Sequence, residues 1–285
     1  MKPFVIAGVT GNTGKAAAQE LLRLNQPVRV LVRQAARALP WRQAGAEVVE
    51  ADLGSLEQLT SALAGSRGAY LLNPPNHAHS DPLRAAEEQG RLFAQALRAA
   101  AVPRAVVLSS VGGHLRTGTG IVESTYRLEQ ALQGLPVTFL RPSYFADNWA
   151  PMLELARAQG ILPSMLQPLD RPLPMIATQD IGLEVARILQ EESSPALVEL
   201  AGPAATPRLV AEYAAEVLGR PVTAVENPRE QWEEQLRGVG ASARGAELVA
   251  GLQDALNAER VVFEHPERVR KATTSVREVV RRLLA

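Results

Sequence analysis

The chain contains no cysteine and only three lysines, at Lys2, Lys15 and Lys271. The first absence excludes disulfides, thiolate metal ligands and thiol nucleophiles, and is compatible with a cytoplasmic protein. The second means that nearly all positive charge is arginine. There is no excess of either sign, since 30 basic residues balance 30 acidic ones, and the arginines lie among acids without forming a block that would argue for nucleic acid. Long apolar runs are missing as well. The first one, after Met1-Lys2-Pro3, is too short for a signal peptide, and no later one approaches membrane-spanning length. The expectation is a soluble cytoplasmic chain whose 285 residues make one large domain or a domain with a smaller lobe.

What is present is concentrated at the N-terminus. The apolar run Phe4-Val5-Ile6 leads into glycines spaced Gly8-x-x-Gly11-x-x-Gly14, and helical periodicity begins at Ala16. Strand, glycine turn and helix in that order form the fingerprint of a dinucleotide site. Gly8 permits the tight turn, Gly11 lets backbone approach a pyrophosphate, and Gly14 lets the helix pack close to the strand. The helix N-terminus then offers N–H groups and a positive dipole end to phosphate.

The pattern repeats along the chain. Strands are predicted at Val28–Val32, Glu47–Ala51, Gly68–Leu72, Ala105–Leu108 and Val137–Leu140, with helices between them from about Ala35 to Gln43, from Ser55 to near Gly65, from Asp81-Pro82 to about Ala100, and from about Val122 to Gln133. Ser55-Leu56-Glu57-Gln58 has the capping-box pattern. Strands alternating with helices imply a parallel sheet covered on both faces, a doubly wound α/β fold of Rossmann type. Beyond Arg141-Pro142 the rhythm changes. Residues 1–150 are assigned to the nucleotide-binding core, and 151–285 to a small, mostly helical lobe, with a segment near 175–200 returning to the core. Thr206-Pro207 and Asn227-Pro228 each read as an N-cap followed by a first-turn proline.

An acid at the end of the second strand would bond the adenine ribose of NAD, whereas arginine suits the 2′-phosphate of NADP. Here the residue is Arg33, with Arg37 nearby and no acid between Glu20 and Glu47. NADP(H) is the expected cofactor. Asp52 is placed to accept from the adenine amino group, with Leu53 beside the ring, or else simply forms a turn.

The turn Gly8–Gly14, Val32-Arg33, Asp52-Leu53, Leu108-Ser109-Ser110, Leu140–Asn148, Met175–Gly182 and Glu199–Pro203 together resemble the NmrA-like group of atypical short-chain dehydrogenases over nearly the whole chain. The resemblance implies a Rossmann core, NADP(H) in the glycine turn and a C-terminal lobe closing the pocket. It leaves the reaction open, because the group includes quinone reductases, phenylpropanoid reductases and cofactor-binding regulators. The expected cofactor contacts are Gly8, Thr10, Gly11, Asn12, Thr13 and Gly14 at the turn, then Arg33, Asp52 and Leu53, then Asn73, Pro74 and Ser109 at strand ends, with Pro142, Tyr144 and Phe145 beyond.

The chain departs from the group's wider superfamily at the proton relay, a Tyr followed four residues later by Lys. Matching Glu129 to the acid that commonly follows that Lys puts Ile121 and Thr125 at the two positions, and neither can do the work. The nearby Tyr126 is followed at the same spacing by Gln130, which carries no charge. Three weaker catalytic candidates remain. Ser110 bonds a carbonyl or satisfies its own loop; His114 donates a proton or is an ordinary loop histidine; Tyr126 acts without its lysine. His77 and His79 lack a third ligand nearby, so no metal is expected. Tyr144, Phe145 and Trp149 line a pocket for a flat substrate or pack beneath the lobe, and the same two readings hold for Met152 and Met165. The expected activity is NADPH-dependent hydride transfer to a quinone-like or conjugated carbonyl acceptor without the Tyr/Lys relay. Its alternative is a regulator that senses NADP(H) and is read by a protein partner. No direct contact with nucleic acid or membrane is expected.

Overall fold

The computed structural model describes residues 1–34, 38–193 and 195–285. The first strand, β1 (Phe4–Ile6), is wholly buried. Because side chains alternate across a strand, Phe4 and Ile6 enter one core cluster while Val5 and Ala7 enter another. Helix α1 (Asn12–Arg23) follows, then β2 (Val28–Val32), α2 (Leu39–Gln43), β3 (Glu47–Glu50), α3 (Leu56–Leu63), β4 (Gly68–Leu72), α4 (Pro82–Ala99), β5 (Ala105–Leu108), α5 (Glu123–Leu132) and β6 (Val137–Pro142). The residues 35–37 expected to begin the second helix, Arg37 among them, lie outside those described.

The remainder contributes β7 (Tyr144–Phe145), α6 (Ala150–Gln159), β8 (Ile161–Ser164), β9 (Leu173–Ile176), α7 (Thr178–Gln190), β10 (Leu197–Ala201), β11 (Ala204–Ala205), α8 (Pro207–Leu218), β12 (Thr223–Glu226), α9 (Trp232–Gly238), α10 (Ala243–Asn257), β13 (Arg270–Lys271) and α11 (Val276–Leu284). The main sheet has eight strands in the order β13-β10-β6-β5-β4-β1-β2-β3, and every pairing in it is parallel. This is a Rossmann-type doubly wound fold.

A parallel sheet needs both faces covered. On one face Leu21 of α1 and Ile181 and Val185 of α7 pack on Phe4, Ile6 and Val30; on the other, Leu59, Leu63, Phe93, Leu97 and Leu128 from α3, α4 and α5 cover Val5, Leu31 and Val107. A third cluster around Trp149, Leu153, Val210, Val279 and Val280 forms the core of the C-terminal part. That part is tied back into the sheet, since β10 pairs with β6, and β13 with β10.

Two local expectations need correction. Only half of the capping box forms. Ser55 accepts from the Gln58 N–H, but the Gln58 side chain accepts from the Asp52 N–H at 2.9 Å instead of reaching back to Ser55. Asn227 is not a helix cap. Its side chain is bonded to Gln235 and its carbonyl accepts from Trp232 Nε1 at 2.8 Å, so a single turn at Arg229–Gln231 precedes α9. By contrast Asp81 and Thr206 do cap α4 and α8 through the N–H groups of Arg84 and Leu209.

Candidate functional site

The strand order reverses between β1 and β4, and the carboxyl edge at such a reversal is where open α/β sheets hold ligands. Here it opens into a cleft of about 930 Å³. Its base is the glycine turn. Gly8 leaves β1 with φ of +67°, the left-handed region that favours glycine. A Cβ on Gly14 would lie 2.4 Å from the Ala7 carbonyl oxygen, so only glycine lets α1 sit this close to β1. Gly11 is the opposite case: a Cβ there would meet nothing nearer than the Gly8 oxygen at 3.4 Å, and Gly11 lines the cleft.

The first helical bond of α1 runs from the Lys15 N–H to the Gly11 carbonyl. The N–H groups of Asn12, Thr13 and Gly14 precede it and have no acceptor within the helix. They are a ready cradle for phosphate. Thr13 is fastened by the buried Tyr70 hydroxyl, which donates to its Oγ1 at 2.9 Å. Burial pushes the Tyr70 pKa well up, despite that bond.

Arg33 lines the cleft at the end of β2, exposed, and makes no ion pair among the described residues. Asp52 and Leu53 are not on the lining. Asp52 Oδ1 accepts the Gly54 N–H at 2.9 Å, and the Leu53 carbonyl accepts from Gln89, which does line the cleft. Asn73 and Pro74 line it, as do Pro75, Asn76 and His77 beyond them.

At the end of β5, Ser109 and Ser110 both reach the cleft. The Ser109 hydroxyl donates to Glu129 Oε1 at 2.5 Å, and Arg141 holds that carboxylate by two bonds, from Nε at 2.8 Å and from Nη2 at 2.6 Å. A third bond from Arg141 reaches Glu264 at 2.5 Å. Burial works against charge on Arg141, but the hydrogen bonds and charges of Glu129 and Glu264 outweigh it and raise its pKa. Ser110 donates to the Val111 carbonyl at 3.0 Å.

The facing wall comes from α5 and the turn before it, through Ile121, Val122, Ser124, Thr125 and Leu128. Ile121 and Thr125, the two residues matched by sequence to the Tyr and Lys positions, therefore both line the cleft. Tyr126 and His114 are not on its lining; the His114 Nδ1 is buried without a partner, and Glu264 lies close enough for their charges to interact. Thr10, Gly14, Pro142 and Tyr144 are also off the lining, whereas Phe145, Asp147 and Asn148 are on it. The Tyr144 hydroxyl shares a hydrogen bond with Asn148, and burial pushes its pKa up to about 12.

Asp147 carries weight that sequence reasoning missed. It accepts the Thr178 N–H at 2.9 Å and an Arg282 bond at 2.7 Å, joining the cleft to the starts of α7 and the end of α11. Trp149 donates to Met175 Sδ within the C-terminal core, where Met152 also packs, and the Met165 carbonyl accepts from Asn257. His79 Nδ1 accepts the Asp81 N–H at 3.0 Å. Among the described residues no group of three His, Asp or Glu side chains is arranged to hold a metal, and no helix is long and apolar enough to cross a membrane.

This donor set fits a dinucleotide. Gly11 leaves an open cradle, the start of α1 faces it with uncommitted N–H groups, and Arg33 stands at the far end of β2.

Comparison with known proteins agrees with this architecture. The model of the NmrA-like family matches residues 2–265. An NAD(P)H azoreductase of Xenophilus azovorans is 25% identical over 266 residues, covering 89% of this chain and 85% of the relative. An NADPH-dependent quinone oxidoreductase of Escherichia coli, solved with NADPH, superposes with a TM-score of 0.80 at 24% identity, over 99% of this chain and 100% of that one. The triphenylmethane reductase of Citrobacter sp., solved with NADP(H), gives a TM-score of 0.80 at 20% identity, over 99% of each.

Proposed function

The chain belongs to the NmrA-like family, and from that premise we propose that it is an NADPH-dependent reductase acting on a quinone-like or conjugated acceptor without a Tyr/Lys proton relay. One observation carries the reading: the cleft combines an open glycine turn and an unpaired Arg33 with a wall lined by Ile121 and Thr125, the residues that the sequence match sets against the relay. The azo, quinone and dye reductases among the relatives support the same reaction class.

NADPH, when bound, supplies a hydride from its nicotinamide ring. The chain's own residues hold and orient the cofactor and the acceptor. The N–H groups at the start of α1 would hold the pyrophosphate, and Arg33 would pair with the 2′-phosphate. The Ser109 hydroxyl, its hydrogen committed to Glu129, is left as an acceptor on the cleft wall. Ile121, Val122, Leu128 and Phe145 give the acceptor an apolar seat and exclude water. A conjugated acceptor spreads the developing charge over its ring, so alignment alone accomplishes much of the work. A simple ketone does not, and loses the roughly 10²- to 10⁴-fold that a general acid contributes.

The test is an acceptor panel. Quinones, azo dyes and enones should consume NADPH, secondary alcohols with NADP should not react, and Tyr126→Phe should lose little rate. Robust alcohol oxidation that vanishes in Tyr126→Phe would overturn the mechanism. Tight NADPH binding with no turnover, together with cofactor-dependent protease sensitivity, would favour a sensor instead.

A further inference from the structure

His77 lies in the loop between β4 and α4 and lines the cleft, half-buried, with its Nδ1 enclosed and without a hydrogen-bond partner. Burial lowers its pKa from the ordinary value of 6.5, so the ring is neutral at neutral pH. A neutral imidazole carries one N–H. With that proton on Nε2, the enclosed Nδ1 is left as an unprotonated nitrogen without a partner.

The position of His77 is built by α10. The Ser242 N–H donates to the His77 carbonyl at 2.9 Å and the Ser242 hydroxyl to the His79 carbonyl at 2.7 Å. Gly245 comes so close that a Cβ would lie 2.0 Å from the His77 oxygen. Three residues on, the same helix meets the other wall: a Cβ on Gly120 would lie 2.2 Å from the Leu248 oxygen. Residues three apart on a helix are neighbours on one face, about 5–6 Å between their Cβ atoms. One face of α10 therefore holds the His77 loop beside the turn that carries Ile121, the residue at the vacant tyrosine position.

We infer that His77 is a catalytic residue of the acceptor site, its Nε2–H donating a hydrogen bond to the acceptor oxygen that becomes negative as the hydride arrives. This rests on the reductase reading above. With a quinone, the hydride and its electron pair pass from NADPH to the acceptor, one quinone oxygen becomes an oxyanion, and His77 stabilises that charge. The proton that completes the hydroquinone comes from water, so the imidazole is neutral before and after. NADPH is oxidised and the quinone reduced.

The experiment compares the wild-type protein with His77→Leu and His77→Gln. Removing one donor to an oxyanion costs on the order of 10²- to 10³-fold in kcat, and charge spread over a quinone ring puts the expected loss for His77→Leu nearer the lower figure. Its dissociation constant for NADPH should stay within about twofold. His77→Gln, which keeps an N–H at comparable reach, should recover much of the rate. Imidazole nitrogen NMR at neutral pH gives a readout independent of turnover. The signals lost in His77→Leu should belong to an Nε2-protonated tautomer and should shift when p-nitrophenolate, a stand-in for the charged product, is added. Wild-type rates in His77→Leu, a rate loss that follows NADPH affinity, or an Nδ1-protonated tautomer would each overturn the assignment. If the wild-type protein binds NADPH but reduces no acceptor, the reductase reading itself falls, before any variant is made, and the role of His77 falls with it.

Discussion

The Tyr70 hydroxyl of β4 donates to Thr13 Oγ1 at 2.9 Å in a fully buried contact, fastening the first turn of α1 to the strand on the other side of the sheet's reversal. The glycine turn is thus braced from beneath by a strand that takes no part in it. Tyr70→Phe should destabilise the protein by about 1–3 kcal/mol, because Thr13 is left with an unpaired buried oxygen. Urea denaturation measures this directly. An unchanged midpoint would show that the bond contributes nothing.

Gly11 and Gly14 make a matched pair. Gly11→Val points its side chain into the open cradle and should abolish nucleotide binding while leaving the melting temperature nearly unchanged. Gly14→Ala drives a methyl to within 2.4 Å of the Ala7 carbonyl oxygen and should impair folding itself. Calorimetry and NADPH titration on both variants separate the two effects. Normal binding by Gly11→Val would remove the glycine turn from the site.

Arg33 should set cofactor preference. A charge-assisted contact to phosphate contributes roughly 1.5–3 kcal/mol, so Arg33→Ala should weaken NADPH about ten- to hundredfold and leave NADH little changed. Equal affinity of the wild-type protein for both nucleotides is the result that sinks this.

The buried Arg141 cluster predicts an acid-sensitive stability. Burial alone would raise the Glu264 pKa, but the hydrogen bond and charge of Arg141, with His114 and His265 adding, bring it below its ordinary 4.5. A carboxylate with a depressed folded pKa contributes stability that is present above its unfolded pKa and is lost as pH falls through the folded one. Stability measured downward from pH 5 should therefore fall less steeply in Glu264→Gln than in the wild-type protein. Identical slopes would contradict it. Glu129→Ala is expected to be far worse at every pH, at about 3–5 kcal/mol, since it leaves Arg141 buried with one partner removed.

Much of the frame was legible because it rests on local chemistry. Strand alternation, the glycine spacing and caps such as Asp81 and Thr206 act within a few residues, and they read correctly. The contacts between distant segments were not legible. Glu129 served only as an alignment marker, yet it is the acid that holds Arg141 and Ser109, and nothing in a pattern twelve residues long reveals that pairing. Asp147 was visible only as part of a motif, because its partners Thr178 and Arg282 are 31 and 135 residues away. His77 was weighed as a metal ligand, and its place in the cleft depends on α10, more than 160 residues further along. The strands β7, β11 and β13 were missed because two residues carry no periodicity, and β8 and β9 because Pro163 and Pro174 interrupt the strand pattern.

The pairing of β10 with β6 also bears on the order of synthesis. A growing chain that has emerged as far as residue 150 holds six strands of the sheet, but β6 has no outer neighbour and the Phe4–Ile6–Val30 face lacks Ile181, Val185 and Ile188. An open parallel rim and a bare apolar face are both invitations to aggregate. The missing cover arrives with residues 178–201, roughly 3–10 s later at about 5–20 residues per second. A gene truncated near its middle should therefore yield inclusion bodies instead of a soluble N-terminal fragment.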